Sequence, residues 1–278
     1  MEWDIVTMHK YIIIEKAVGE TPLITMEQMR ATRLDLIGVP LAYAGRLDPM
    51  ASGKLLILIG DECKKQKSYQ GLDKEYEFEL LLGFSSDTGD VLGIADKDVT
   101  FPKVNGETIT EATKKILGTH TLPYPHFSSK TVGGKPLFLW ALENRLSEIT
   151  IPTMTATIHR IKVIDVRTQS VTNCIEHILQ KIELIPPVTE VSKALGRDFR
   201  RVDIRAQWQT ILASTDHGEV ATIATIRIIV SSGTYIRTLA PLIAKHLGTR
   251  GLAYSIHRTK IGRFFSWGPV GFWLRIFQ

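Results

Sequence analysis

The sequence predicts a protein of the α+β class, because patterns typical of strands and of helices both occur along it. The run from Lys54 to Ile59 is largely apolar and is followed by a glycine, which is typical of a strand buried on both faces. From Glu75 to Leu80, glutamates alternate with Tyr, Phe and Leu, which is the period of a half-buried strand. Thr25 followed by Gln28 forms a capping-box pattern, which predicts a helix reaching about Leu36.

Weaker patterns supply the other elements in chain order. Strands fit three further segments: Tyr11 to Ile14, Thr155 to Val166 and Thr222 to Val230. Helices fit Thr110 to Leu117 and the residues that follow Thr234. The segment from Leu122 to Pro136 is too rich in Pro, Ser and Gly to be assigned to either element.

The stretch from Gln169 to Gly218 is longer and less regular than the other connections. It holds an amphipathic helical pattern, a Pro186-Pro187 break and the densest cationic run of the chain. The run consists of Lys193, Arg197, Arg200, Arg201 and Arg205. A solvated helix face and a phosphate-binding surface explain this run equally well.

The composition is that of an ordinary globular protein. The 278 residues are 44% hydrophobic and 23% charged, and the net charge of +5 suits a polyanionic partner such as nucleic acid. Cys63 and Cys174 are far apart with no Cys/His ligand spacing, so neither a zinc site nor a disulfide framework is indicated. No apolar run reaches the roughly 18 residues that span a bilayer. We therefore expect a cytoplasmic protein with no membrane segment and no metal.

Asp48 is the first candidate for chemistry. Pro49 disfavours helical backbone at Asp48, and Gly45 and Gly53 allow sharp bends on either side, so the carboxylate is expected on a shaped loop ahead of the apolar strand. A carboxylate fixed at the mouth of a core strand can serve catalysis. The alternative is a turn aspartate bonded to its own backbone.

Arg237 is the second candidate. It falls in the first turn of the helix expected after Thr234, where the helix dipole disfavours a cation by a few tenths to about 1 kcal/mol, so an anionic partner is expected. The partner is a local carboxylate, a bound phosphate or a carboxylate from a distant loop, and Asp48 is a physically sensible choice. The alternative is an arginine that points into solvent.

Four segments together resemble the TruB family, the tRNA pseudouridine-55 synthases. They are "GRLDPMASG", "DKEYEFELLLGFSSDTGDVLG", "SGTYIRTL" and "IHRTKIG", in the family's order, and with Lys16 they span most of residues 10–263. The resemblance implies the α+β pseudouridine-synthase fold, with a central, mostly antiparallel mixed sheet flanked by helices. It also implies isomerisation of uridine to pseudouridine in structured RNA, foremost the T-loop uridine of tRNA, by base flipping and without a cofactor.

The resemblance implies roles for individual residues. Asp48 matches the catalytic aspartate, which acts on the ribose, and Arg237 matches the arginine that pairs with it. Tyr76 matches the aromatic that lies against the uracil, Tyr235 another side chain of the pocket, and Ile256 an apolar residue at the pocket edge.

Three further segments depart in part from the family pattern, and the first two hold the remaining predicted substrate-binding residues, Lys16, Tyr43 and Gly45. Lys16 falls in the family's Lys-Pro-x-Gly loop, although Ala17 replaces the proline. Many members have Gly-His-x-Gly where this chain has Tyr43-Ala44-Gly45, so the histidine that helps to place the flipped nucleotide is absent. Thr131 stands where the family's Ser-Ala-x-Lys segment has its lysine. We expect complete catalytic machinery, with Tyr43 and Gly45 at the nucleotide, and altered substrate recognition.

The expected domain organisation is a single catalytic domain over residues 1–278. It carries an insertion at about residues 169–218 and has no separate PUA-type RNA-binding domain after the last block. We expect the aromatic-rich end of the chain to dock on this domain as a strand or short helix, with Phe264, Trp267 and Trp273 partly buried.

The expected partner is the T-arm of tRNA, bound by a monomer. The main competing interpretation is an RNA-binding or RNA-folding protein that keeps the pocket without turnover. A two-carboxylate glycosidase would need a second acid near Asp48; Asp87 and Asp90 can be proposed, but no sequence pattern places them there.

Overall fold

The computed structural model describes residues 10–186, 200–267 and 270–277, and it confirms the α+β class. The strands are β1 Tyr11–Lys16, β2 Leu41–Ala44, β3 Ala51–Ile59, β4 Asp73–Leu82, β5 Phe84–Ser86, β6 Ala95–Lys97, β7 Gly118–Pro123, β8 Thr131–Val132, β9 Lys135–Pro136, β10 Thr153–Ser170, β11 Val220–Val230, β12 Gly251–Trp267 and β13 Val270–Phe277. The α-helices are α1 Pro22–Ala31, α2 Gln66–Gln70, α3 Gly106–Lys114, α4 Leu137–Leu142, α5 Val171–Glu183, α6 Arg201–Ala213 and α7 Ile236–His246.

Nine strands of the described chain form one central sheet. Their order is β1-β3-β12-β4-β11-β10-β7, with β2 on β3 and β13 on β12. The β3–β12 pairing is parallel and the other pairings of this sheet are antiparallel, which confirms a mostly antiparallel mixed sheet. The strands predicted at residues 54–59 and 75–80 became β3 and β4, and β4 lies between β12 and β11 at the centre of the sheet.

Helices pack on both faces of the sheet, as the alternating side chains of β4 require. Phe78 and Leu80 belong to the core shared with α3 and α7, whereas Leu81 belongs to a second core with α5 and α6. The segment 169–218 therefore contributes a buried layer: Ile178 of α5 and Trp208 of α6 are both fully buried. Lys193 and Arg197 of the predicted cationic run lie outside the described residues.

The first helix starts earlier than the capping-box pattern predicted. Its N-cap is Thr21, whose Oγ1 accepts from the Ile24 amide at 3.3 Å, and Pro22 opens the helix because its fixed φ suits the first turn. The Thr25 hydroxyl instead donates to Glu20 Oε2 at 2.8 Å. The helix ends at Ala31, and a separate 3-10 turn follows.

The C-terminal segment docks as a strand, as expected, because β13 pairs with β12. Phe264 is buried and Trp273 lies 5.2 Å from it, ring centroid to ring centroid. The expectation for Trp267 was wrong: this residue is 89% exposed. It is the last residue of β12, and its cross-strand neighbour Val270 is itself 64% exposed, so the indole stays in contact with solvent. None of the described helices has the length and apolarity needed to cross a membrane.

Candidate active site

A cleft of about 830 Å³ opens where the start of β3, the start of β4 and the end of β11 meet. The strand register brings these ends together: Val230 lies opposite Lys74, and Ile256 lies opposite Ala51 across the parallel β3–β12 pair. The lining includes Tyr43, Gly45, Asp48, Lys74, Tyr76, Asp90, Phe127, Arg200, Ser232, Tyr235, Arg237, Ile256 and Arg258.

Asp48 lies on the shaped loop that the sequence predicted. Gly45 and Gly53 have φ of +88° and +106°, values that favour glycine. At Gly53 a Cβ atom would lie 2.4 Å from the Arg258 carbonyl oxygen, so the close approach of β3 to β12 requires glycine there. The Asp48 side chain is 38% exposed and lines the cleft, so a substrate atom can reach its carboxylate.

Arg237 contacts Asp48, as expected from its place in the first turn of α7. Its Nε donates to Asp48 Oδ2 at 2.8 Å, while its two terminal nitrogens donate to the carbonyls of Thr88 at 3.1 Å and Phe127 at 2.9 Å. Thr234 is not the helix cap, because the N-cap is Tyr235 and it makes no capping side-chain bond. The Arg237 side chain is only 4% exposed, so its charge is held by these partners rather than by water.

Asp90 is a second carboxyl group beside this pair, which the sequence did not assign. Burial raises the pKa of Asp90 to about 6; Arg237 opposes the rise and Asp48 adds to it. Its Oδ1 accepts from the Thr88 hydroxyl at 2.7 Å and from the Leu92 amide at 3.0 Å. Burial by itself would lower the pKa of Arg237, but Asp48 and then Asp90 raise it above its ordinary value.

Aromatic and apolar side chains wall the cleft around Asp48. Tyr76 is 7% exposed and Ile256 is 6% exposed, so each offers one edge of a packed side chain to the cleft. The Tyr235 ring lies 5.2 Å from the guanidinium carbon of Arg237. Tyr43, from β2, completes this side. The structure thus brings these predicted residues, with Gly45, to one place.

Lys16 is the exception among the predicted binding residues. It is 1% exposed and is absent from the cleft lining, since it lies beneath the Asp48 loop. Its Nζ donates to the Ala17 carbonyl at 2.8 Å and to the Pro49 carbonyl at 3.4 Å. Burial lowers the pKa of Lys16 to about 8. In this structure Lys16 supports the loop from below and has no access to a substrate.

Two further buried cations line the cleft and were missed from the sequence. Lys74 Nζ donates to the carbonyls of Gln70 and Leu72, and burial followed by the nearby Arg258 lowers the pKa of Lys74 to about 7. Arg258 is fully buried and donates to the carbonyls of Lys54 and Arg46. Lys74 is the second residue of β4, and nothing in the neighbouring sequence indicates that its side chain will be buried. Among the described residues, no cluster of His, Cys, Asp or Glu has the makings of a metal site.

The cleft holds one accessible carboxylate, bonded to a buried arginine, between aromatic and apolar walls. The family follows from comparison with known proteins. Residues 39–181, just over half of the chain, match the model of the TruB family pseudouridylate synthase N-terminal domain, and the chain belongs to that family.

Curated relatives resemble the chain over most of its length. The tRNA pseudouridine synthase B of Caldicellulosiruptor saccharolyticus is 26% identical over 92% of this chain and 69% of its own length. That of Bacillus pumilus is 30% identical over 80% of this chain and 56% of its own length. The chain thus spans between about half and about two thirds of these relatives.

Solved structures share the pseudouridine-synthase fold. The crystal structure of a Cbf5-Nop10-Gar1 complex contains a chain that aligns with a TM-score of 0.51 at 15% identity, covering 91% of this chain and 48% of that one. An H/ACA ribonucleoprotein bound to a substrate RNA containing 2′-deoxyuridine gives a TM-score of 0.50 at 14% identity, covering 90% and 47%. At such identities the likeness concerns the fold alone.

Proposed function

We propose that this protein converts a uridine of structured RNA into pseudouridine and that its target is the T-loop uridine of tRNA. The observation that carries the proposal is the ion pair between Asp48 and Arg237 in a cleft walled by Tyr76, Tyr235 and Ile256. The name that the curated relatives share, tRNA pseudouridine synthase B, supports tRNA as the substrate.

The reaction is an isomerisation within one nucleotide. The bond between C1′ of the ribose and N1 of the uracil breaks, the base turns, and a bond forms between C1′ and C5. N1 gains a proton and C5 loses one, so nothing is added or removed overall and no electron acceptor is needed. The uracil has to leave the base stack before its glycosidic bond can be reached, and a cleft of about 830 Å³ lies within the common range of about 300–1,000 Å³ for ligand sites.

Each part of the cleft has a role in this proposal. Asp48 acts on the ribose, as a nucleophile or as a base, and its exposed side chain leaves it free to do so. Arg237 fixes the direction of the carboxylate, because its other two bonds tie it to backbone carbonyls. The parts of Tyr76 and Ile256 that reach the cleft hold the uracil between packed side chains.

Cations at the rim are suited to the RNA backbone. Arg46 belongs to the Asp48 loop, lines the cleft and is bonded to Ser129, and Lys130 is the residue next to Ser129 in the chain. Each such cation that neutralises a phosphate releases a counterion, so we expect binding to weaken as salt rises. The chain's net charge of +5 suits such a partner.

The alternative, an RNA-binding or RNA-folding protein with an inactive pocket, is less well supported. A protein that only binds RNA does not need a buried arginine oriented on an accessible carboxylate. A measurement of pseudouridine formation distinguishes the enzyme from the RNA-binding protein, whereas a measurement of RNA affinity does not.

The test uses an unmodified tRNA transcript and maps pseudouridine at nucleotide resolution. A transcript with tritium at uracil C5 gives a second measure, because C5 loses its hydrogen to water on rearrangement. Asp48→Asn is the inactive variant, and Asp61→Asn, at a surface carboxylate paired with Lys64, is the matched control. Pseudouridine at the T loop in the parent and the control, but not in Asp48→Asn, is the expected result.

Two results would change the proposal. Tight tRNA binding without pseudouridine in the parent protein would establish the RNA-binding alternative. Pseudouridine formed only at other uridines would leave the chemistry intact and overturn the T-loop assignment.

A further inference from the structure

Arg200 joins the segment 169–218 to the cleft. It lies immediately before α6, with φ 56° and ψ 24°, a left-handed conformation that costs a residue other than glycine free energy. Its terminal nitrogens donate to both carboxylate oxygens of Asp87, at 2.6 and 3.1 Å. Its guanidinium carbon lies 4.0 Å from the centroid of the Phe127 ring. One side chain therefore bridges two segments that are distant in the sequence.

The same two segments hold Arg237 in place. Arg237 donates to the carbonyl of Thr88, the neighbour of Asp87, and to the carbonyl of Phe127 itself. Its third bond goes to Asp48. Arg200 thus contacts both segments, Asp87–Thr88 and Phe127, whose carbonyls set the position of Arg237. A change in the spacing between these two segments would move Arg237, and through Arg237 it would move the carboxylate of Asp48.

Helix α6 fixes the position from which Arg200 reaches out. Trp208 is fully buried and donates from its indole nitrogen to the Val91 carbonyl at 3.1 Å, and Gln207 donates to the Ala95 carbonyl at 2.9 Å. These bonds join α6 to the loop that carries Asp87 and to the first residue of β6, which follows that loop. The loop, the helix and Arg200 are therefore connected at three points, and the strained backbone of Arg200 is held by contacts at its side chain and at its helix.

A phosphate-binding role fits Arg200 less well, although it belongs to the cationic run. Its side chain is 16% exposed, and both terminal nitrogens are bonded to Asp87, whose charge opposes its own. A side chain used mainly for RNA would present its donors to solvent.

We infer that Arg200 is a positioning residue for the Asp48–Arg237 pair: it holds the Asp87 loop and the Phe127 segment at the spacing that Arg237 requires. The inference rests on the proposed function. It makes the segment 169–218 a part of the catalytic site's support. It assigns no RNA contact to Arg200.

The test removes the guanidinium without adding backbone strain. Arg200→Gly suits the positive φ, and Arg200→Lys keeps a charge but not the fork that bonds both oxygens of Asp87. The matched control is Arg33→Gly, which removes another arginine that bonds both oxygens of an aspartate, Asp35, at the surface. Steady-state kinetics on tRNA transcript, tRNA affinity and melting temperature are measured for each protein.

We expect kcat of Arg200→Gly to fall about 30- to 100-fold with KM within about threefold of the parent value, since a misplacement near 1 Å at a reacting group costs about that much. Arg200→Lys should be intermediate and Arg33→Gly unchanged. Added guanidinium ion should restore part of the kcat of Arg200→Gly, which a general loss of stability would not allow. Hydrogen exchange should speed up at the Ile94 amide, which donates to Asp87 Oδ1 at 2.9 Å.

Several results would overturn the inference. One is a kcat within threefold of the parent value for both Arg200 variants; another is a loss of tRNA affinity with kcat retained, which would make Arg200 a phosphate contact. If the parent forms no pseudouridine, the proposed function fails, and hydrogen exchange still decides whether Arg200 holds the loop. If the exchange rate of the Ile94 amide is the same in Arg200→Gly as in the parent, Arg200 does not hold the Asp87 loop and the inference is refuted.

Discussion

Replacing Arg237 by lysine keeps a positive charge beside Asp48 but removes the fork that orients it. The guanidinium makes three bonds in different directions, to Asp48 Oδ2 and to the carbonyls of Thr88 and Phe127. A lysine has one nitrogen at the end of a flexible chain, so it cannot span all three acceptors. We expect it to keep the Asp48 contact or the carbonyl contacts, but not both sets.

The magnitude follows from the bonds that are lost. A hydrogen bond to a charged group contributes about 1.5–3 kcal/mol, so losing one or two of them should destabilise the protein by about 2–4 kcal/mol. The cost stays at the lower end because Asp48 is 38% exposed and water can take over part of its solvation. A carboxylate displaced by about 1 Å should lower the rate of the chemical step about 100-fold or more, with tRNA affinity within about threefold.

The assay is single-turnover pseudouridine formation with enzyme in excess, together with urea unfolding. Arg227→Lys is the matched control, because Arg227 forms an exposed ion pair with Glu77 at 3.0 Å and lies outside the cleft lining. Arg237→Met should lose still more rate than Arg237→Lys, since it removes the charge as well. A single-turnover rate for Arg237→Lys within tenfold of the parent rate would refute the view that the fork, rather than the charge, positions Asp48.

Three further predictions concern the neighbours of this pair. Asp48→Asn should lower turnover by about a thousandfold or more while tRNA affinity and unfolding free energy at neutral pH stay near the parent values, because the amide oxygen can still accept from Arg237 Nε and the nearby Asp90 stays an anionic neighbour of Arg237; turnover within tenfold would contradict the assignment. The raised pKa of Asp90, about 6, means that its stabilising contribution is present below the ordinary aspartate pKa and is lost as pH rises through 6. Asp90→Asn removes this titration, so the unfolding free energy of the variant should lose up to about 3 kcal/mol less than that of the parent between pH 4 and pH 7. Urea unfolding at both pH values measures this difference, and an equal pH dependence in the two proteins would contradict the raised pKa of Asp90. Gly89→Ala should destabilise the protein by about 2–4 kcal/mol and lower turnover at least tenfold, because Gly89 has a φ of +77° and a Cβ atom there would lie 2.1 Å from the Arg237 carbonyl oxygen. An unchanged melting temperature and an unchanged rate would contradict this close packing.

Much of the fold could be predicted because its signals are local. The alternation in β4 and the apolar run of β3 report which faces of a strand are buried, and both strands formed where expected. The loop of Asp48 followed from Pro49 and its flanking glycines, whose backbone preferences act within two or three residues. The helix cap at Thr21 was missed because the Thr25 pattern matched the same rule, and Pro22 decided between the two.

The candidate site was predictable only in part. The argument that a cation in the first turn of a helix needs an anion indicated a partner for Arg237, and family resemblance selected Asp48 from 189 residues away. Lys16 matched the family's loop, yet the fold encloses it beneath Pro49, so its sequence position did not report its access to the cleft.

The sequence by itself determined strands β1, β3, β4, β10 and β11, the bent loop of Asp48 and the residue types that the chemistry needs. The tertiary structure alone decided which charges are buried together, namely Asp90 beside Arg237 and Lys74 beside Arg258. It also decided that Arg200 contacts Asp87 and Phe127. The physical reason is that backbone preference and hydrophobic period act over a few residues. Desolvation and charge pairing depend on distances that only the packed sheet and its helices fix.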